Sequence, residues 1–139
     1  MNEKAKIQKR TTYKQEAFVA AFLKTREGVL MLGSKRAGDM VWGLPHGKIE
    51  LHETPFTTLK RIMWEKTGRI VDVEGLYNVA ESTILQRHGI STQRITTLFR
   101  VKSARTEGKN TGIKFFPVAT LKHAPLDEIT QRLLGTLLK

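Results

Sequence analysis

Apolar residues along this chain of 139 fall into short runs broken by polar, glycine-bearing stretches. EAFVAAFLK (16–24) and GVLMLGS (28–34) read as two strands, and TREG between them as the turn of a hairpin. KRAGDM (35–40) reads as a loop, and VWGLPHGKI (41–49) as a short strand running into a glycine-rich turn. Residues 54–67 carry the marks of a helix. Thr54 suits the N-cap, Pro55 the first helical position and Gly68 the position just past the end. At about 100° per residue, Phe56, Leu59, Met63 and Thr67 fall on one stripe, which is expected to face the core. Strands are expected again at about 70–80 and 93–102, with ESTILQRHGIST (81–92) as the loop between them. A polar loop (103–112) leads to a last strand, IKFFPV. The chain closes on helical sequence, LDEITQRLLGTLLK, with Leu126, Ile129, Leu133 and Leu137 on one stripe. This order predicts an α/β (α+β) fold, a mixed sheet sandwiched between helices. Residues 1–14 read as a basic tail and 15–139 as a single domain.

Composition adds a bias without naming a partner. The net charge is +11. Residues 1–14 supply +4 of it, from five basic residues and one acid, and the other 125 residues supply +7, from 19 basic and 12 acidic. Residues 82–114 hold seven Lys or Arg and one acid, so this half is the expected seat of an electropositive groove. Such a field attracts nucleotides and RNA. There is no cysteine, which excludes disulfides and thiolate metal sites. No apolar run approaches the roughly 20 residues of a membrane span. No apolar signal core follows the basic start, so the cytoplasm is the expected compartment. The charge pattern leaves the oligomeric state open.

The candidate chemistry lies in GKIELHETPFTTLKRIMWEKTG (47–68). Positions 62, 65 and 66 are spaced i, i+3, i+4, and share a face expected to point away from the core stripe. Three acids there, beside the preceding turn, would form a Mg²⁺ site, because this hard ion takes oxygen ligands. A turn carbonyl near Gly47 would add another. The segment resembles the Nudix box, G-x5-E-x7-R-E-U-x-E-E-x-G-U, in which U is bulky and apolar. Gly47, Glu53, Arg61, Met63, Glu65 and Gly68 match it. WGLPHGKIE and HETP are similar to the flanking W.LPGGKVE and GETP of that family. The resemblance extends over about residues 16–138. It implies cleavage of a nucleoside diphosphate linked to another moiety, with Mg²⁺ or Mn²⁺ as cofactor.

This chain departs from the box where the metal would sit. Ile62 and Lys66 replace two glutamates, Arg69 takes the last apolar position, and His46 and His52 stand where the family has glycines. Lys66 brings a positive charge to the metal position, which weakens or abolishes Mg²⁺ binding at the helix, and it can meet a phosphate itself. The resemblance gives Glu53, Arg61 and Glu65 as the catalytic set. The three have an alternative reading, an ion-pair set that ties the turn to the helix. Metal donors, if a metal is used, are Gly47 through its carbonyl, Glu65 and Glu107, the last an acid in a later loop. Lys35, Arg36 and Lys66 are the candidate phosphate-binding residues, and His46 or His52 is a candidate base. Trp42 and Tyr77 are candidates to stack on a base, or else core aromatics. Three functions are compatible with this pattern: a hydrolase with weakened metal-dependent catalysis, a nucleotide-binding protein without catalysis, and an RNA- or protein-binding module on the same fold.

Overall fold

The computed structural model describes residues 12–85, 89–106 and 112–139. Seven strands form one mixed sheet: β1 (Thr12–Thr25), β2 (Gly28–Arg36), β3 (Asp39–Gly43), β4 (His46–Lys48), β5 (Arg69–Leu85), β6 (Ile90–Thr106) and β7 (Ile113–Phe116). Among the described residues two α-helices accompany them, α1 (Pro55–Thr67) and α2 (Glu128–Leu134). The main order is β3-β2-β1-β6-β5, with β4 paired to β1 and β7 paired to β2. β1 runs parallel to β6 and antiparallel to β2 and β4. Among the described residues no helix is long and apolar enough to cross a membrane.

β1 is central, and its sequence shows why. Successive side chains of a strand point to opposite faces, so a strand covered on both sides reads as a continuous apolar run. Ala20 and Phe22 join one core layer with Met31, Leu98, Leu133 and Leu134. Val19, Ala21 and Leu23 join the other with Leu30, Leu59, Ile62 and Met63. The first layer lies under α2 and the second under α1.

α1 has the caps expected of it. Thr54 Oγ1 accepts the N–H of Thr57 at 3.1 Å, Pro55 opens the helix, and Gly68 closes it at φ 65° with its N–H directed to Met63 and Trp64 carbonyls. The buried face differs from the expected stripe. Thr58, Leu59, Ile62, Met63 and Thr67 are buried, while Phe56 is 52% exposed and meets the Phe99 ring edge-on at 5.3 Å. The face centred on Leu59, Ile62 and Met63 has the i, i+3, i+4 spacing that packs flat on a sheet. Phe56 lies at its margin.

Four further expectations change. Residues 35–40 are the close of a hairpin, in which Arg36 pairs with Asp39 around Ala37 and Gly38, both at positive φ. Such two-residue turns match the twist of the flanking strands. The stretch 81–92 is mostly strand: β5 and β6 pair from Arg69↔Thr106 as far as Leu85↔Ser91. Residues 86–88 lie outside the described residues. β1 begins at Thr12, so Lys14 pairs with Thr92 of β6. At the C-terminus α2 stops at Leu134, and a 3₁₀ turn follows over Gly135–Leu138.

Candidate functional site

The turn before α1 and the second and third turns of α1 are joined by a charged lattice. Arg61 donates from Nε to Glu53 Oε2 at 2.8 Å and from a second nitrogen to Glu53 Oε1 at 3.0 Å. Its remaining nitrogen donates to Glu65 Oε1 at 3.0 Å. Glu53 also accepts the Thr58 hydroxyl at 2.9 Å and the Glu50 N–H at 3.1 Å. The guanidinium of Arg61 is the main reason that the Glu53 carboxyl sits well below its usual range, at about 2, with the Thr58 and Glu50 bonds assisting against partial burial. Glu53 in turn holds Arg61 firmly charged, with Glu65 adding to it. A forked guanidinium between two carboxylates is a strong and directional arrangement. It fixes the entry of α1 against its own second and third turns.

The next positions are occupied differently from the expectation. Ile62, placed by its spacing on the outward face, is 2% exposed and part of the core under α1. Gly47 packs against it. A Cβ at Gly47 would lie 2.5 Å from Ile62 Cδ1 and 3.0 Å from Cγ1. Lys66, one turn on, reaches from α1 to β4 and donates from Nζ to the backbone carbonyl of His46 at 2.8 Å. Partial burial pulls the ammonium below its ordinary range; Glu65 opposes this and Arg61 reinforces it. Among the described residues, no three His, Asp or Glu side chains come together as they would around a metal ion.

His46 connects this corner to a cleft of about 350 Å³ on the α2 side. Its Nδ1 lies 2.9 Å from the Leu44 carbonyl, which accepts, so Nδ1 carries the proton and Nε2 is left as an acceptor in the neutral ring. Arg36 enters the cleft from the end of β2, Arg94 from β6, and Asp127 and Arg132 from α2 and its cap. Arg94 is oriented by Glu16 at 3.1 Å and by the Phe18 ring, 4.8 Å below its guanidinium. Glu16 is held ionised chiefly by Lys48, at 3.0 Å, and then by Arg94. Arg132 donates to the Glu81 carbonyl at 2.6 Å and to Glu128 at 2.7 Å. The C-terminal segment is fastened over β3 by Trp42 N–H to the Pro125 carbonyl (2.8 Å), Asp127 N–H to the Trp42 carbonyl (2.9 Å) and Leu44 N–H to Thr130 Oγ1 (2.9 Å). These bonds hold the α2 wall of the cleft against the β3–β4 wall.

The structure thus brings Glu53, Arg61 and Glu65 together, and Lys66 to the carbonyl beside Gly47. Of the two basic residues at the end of β2, Arg36 lines the cleft, whereas Lys35 is on the alternate face of the strand, paired across to Met40. Glu107 lies outside the described residues. Trp42 packs edge-on against Phe116 at 5.3 Å, as a core aromatic. Sequence reasoning missed Arg94, Arg132 and Glu16 as individual residues. They come from three elements, and the basic excess of 82–114 was a signal for Arg94 alone.

A family model, described as the NUDIX domain, matches residues 13–136. The chain is 32% identical over 116 residues to a MutT-like protein of Streptomyces ambofaciens, an overlap of 81% of this chain and 71% of that protein. Among solved structures it resembles a NUDIX hydrolase from Nitrosomonas europaea, at TM-score 0.71 and 18% identity over 87% of this chain and 86% of that one. It also resembles a UDP-X diphosphatase, at TM-score 0.71 and 23% identity over 97% and 68%. With six box residues matched between Gly47 and Gly68 and a family match over residues 13–136, the chain belongs to the Nudix family.

Proposed function

We propose that this protein binds a nucleoside diphosphate linked to another group in the cleft between β2, β6 and α2, and that its Mg²⁺-dependent hydrolysis is weak or lost. The observation that carries this reading is the 2.8 Å bond from Lys66 Nζ to the His46 carbonyl. A divalent ion using that carbonyl would have to share it with an ammonium. At about 4 Å the two charges repel by roughly 8 kcal/mol at an effective dielectric of 20, an upper bound because a lysine can swing aside. Nor do the neighbouring donors favour the ion: Glu65 is the one acid of the three helix positions, one of its oxygens accepts from Arg61, and Ile62 is apolar and buried. The residues present therefore do not fit a divalent cation held by the helix.

The cleft retains what an anionic ligand needs. Arg36 has no ion-pair partner among the described residues, and Arg94 is pre-oriented by Glu16 and Phe18. A planar guanidinium that is already positioned loses little on meeting a phosphate. The family and the UDP-X diphosphatase likeness favour nucleoside diphosphate derivatives over other anions. The test is thermal shift against a panel of such derivatives, with Mg²⁺, with Mn²⁺ and with EDTA. The reading expects stabilisation that survives EDTA and is lost in Arg36→Gln. Stabilisation that requires Mg²⁺, or binding of RNA with no response to any nucleotide, would overturn it.

A further inference from the structure

A second depression, of about 340 Å³, shares no lining residue with the Arg36 cleft. Phe22 pairs with Arg100 across the parallel β1–β6 ladder, so the two project to the same face, and Lys24, two residues along β1, joins them. The neighbouring strand β5 is irregular at this point. Val73 pairs with Val101 and Gly75 with Arg100, leaving Glu74 without a partner. Leu76 pairs with Phe99 and Asn78 with Leu98, leaving Tyr77 without one. Both extra residues line the depression. A bulge gives up regular ladder pairing and re-aims a side chain. Two bulges three residues apart, each turning its extra residue into one hollow, amount to a built wall.

The contents of that wall are specific. Tyr77 lies 4.7 Å from Phe22, tilted by 35°; Phe22 is 7% exposed and Tyr77 36%, so an aromatic floor carries a ring that is still open to a ligand. Val118 and Leu137 extend the apolar surface. At the rim stand two cations, Lys24 and Arg100, and one carboxylate, Glu74. None of the three forms an ion pair with another described residue. The rim is thus one positive charge in excess, with a separate acceptor.

We infer that this hollow is a binding site for a small aromatic monoanion with a ring N–H, of the heteroaryl carboxylate class. The ring packs on Tyr77 and Phe22, the carboxylate meets Arg100 and Lys24, and Glu74 accepts the N–H. The volume is near the low end of small-molecule sites, which excludes a dinucleotide-sized ligand. This site is independent of the Nudix cleft and of any reading of its catalysis.

The test uses the full chain and indole-3-acetate as probe, followed by amide chemical-shift mapping. The expected result is saturable binding in the range of ~1 mM or tighter, with shifts centred on Glu74, Tyr77 and Arg100. Arg100→Gln and Lys24→Gln, surface changes that leave the core intact, should together weaken it by ~tenfold or more, while Arg36→Gln leaves it unchanged. Indole, lacking the carboxylate, should bind more weakly than indole-3-acetate. Absence of saturable binding, shifts centred on Arg36 and His46, or an affinity unmoved by the Arg100 and Lys24 changes would each overturn the inference.

Discussion

Gly47→Ala asks how the corner beside α1 is built. Gly47 is not among the glycines at positive φ, so its backbone admits alanine, and the obstacle is space. The added methyl would stand 2.5 Å from Ile62 Cδ1 and 3.0 Å from Cγ1, against a side chain that is 2% exposed. Ile62 cannot retreat to solvent, so the overlap is relieved by off-rotamer packing or a small shift of β4, which costs ~1–3 kcal/mol. Ile62→Val removes Cδ1, the nearer atom, and by itself costs ~0.5–1.5 kcal/mol through the space it leaves. Together the two changes are complementary, because the new methyl enters the volume that Cδ1 vacates. The double variant should be less destabilised than the sum, with a coupling of ~1 kcal/mol or more in favour of the pair. Urea denaturation of the four proteins measures this, provided the m-values agree. Additivity within ~0.3–0.5 kcal/mol would refute the reasoning, since it would mean that Gly47 and Ile62 do not share this space.

Leu59→Ala, at a fully buried position of the α1 core, should cost ~2–5 kcal/mol in the same assay. The Glu53 carboxyl, at about 2 in the fold against 4.5 for the free group, gives a signed pH effect. A depressed carboxylate contributes stability that is complete above the free value and is lost as pH falls toward the folded one, because the unfolded chain takes up the proton first. Melting temperature should therefore fall between about pH 5 and pH 2 more steeply in the wild type than in Glu53→Gln. Equal slopes for the two proteins would show that the Arg61 pairing does not carry this dependence.

What could be read in the sequence was local. The α1 caps, Thr54, Pro55 and Gly68, are backbone chemistry written in consecutive residues, and they appear as expected. The Glu53–Arg61–Glu65 set was legible because its members lie on one turn and one helix. Ile62 was misplaced because box spacing assigned it to an outward acidic face. Its own apolar character, one helical step from Leu59 and Met63, pointed inward, and the fold follows the side chain. The long β5–β6 hairpin was underestimated because its polar residues resemble a loop. The cleft was the least legible part. Arg36, Arg94 and Arg132 are separated by dozens of residues, and they converge only through sheet register and the docking of α2 on β3.

The central claim is that Lys66 and Ile62 have closed the metal position of a Nudix helix. Turnover of nucleoside diphosphate derivatives with Mg²⁺, measured for the wild type beside Ile62→Glu/Lys66→Glu, tests it most directly. Weak or no turnover is expected from the wild type, and Mg²⁺-dependent hydrolysis from the double variant, in which the His46 carbonyl loses its ammonium partner and a carboxylate replaces the apolar side chain packed against Gly47. Lys66→Glu alone should gain less, because Ile62 still fills its place with hydrocarbon. Brisk Mg²⁺-dependent turnover by the wild type, abolished by Glu65→Gln, would contradict the account, since a metal would then be bound in the presence of the Lys66 ammonium.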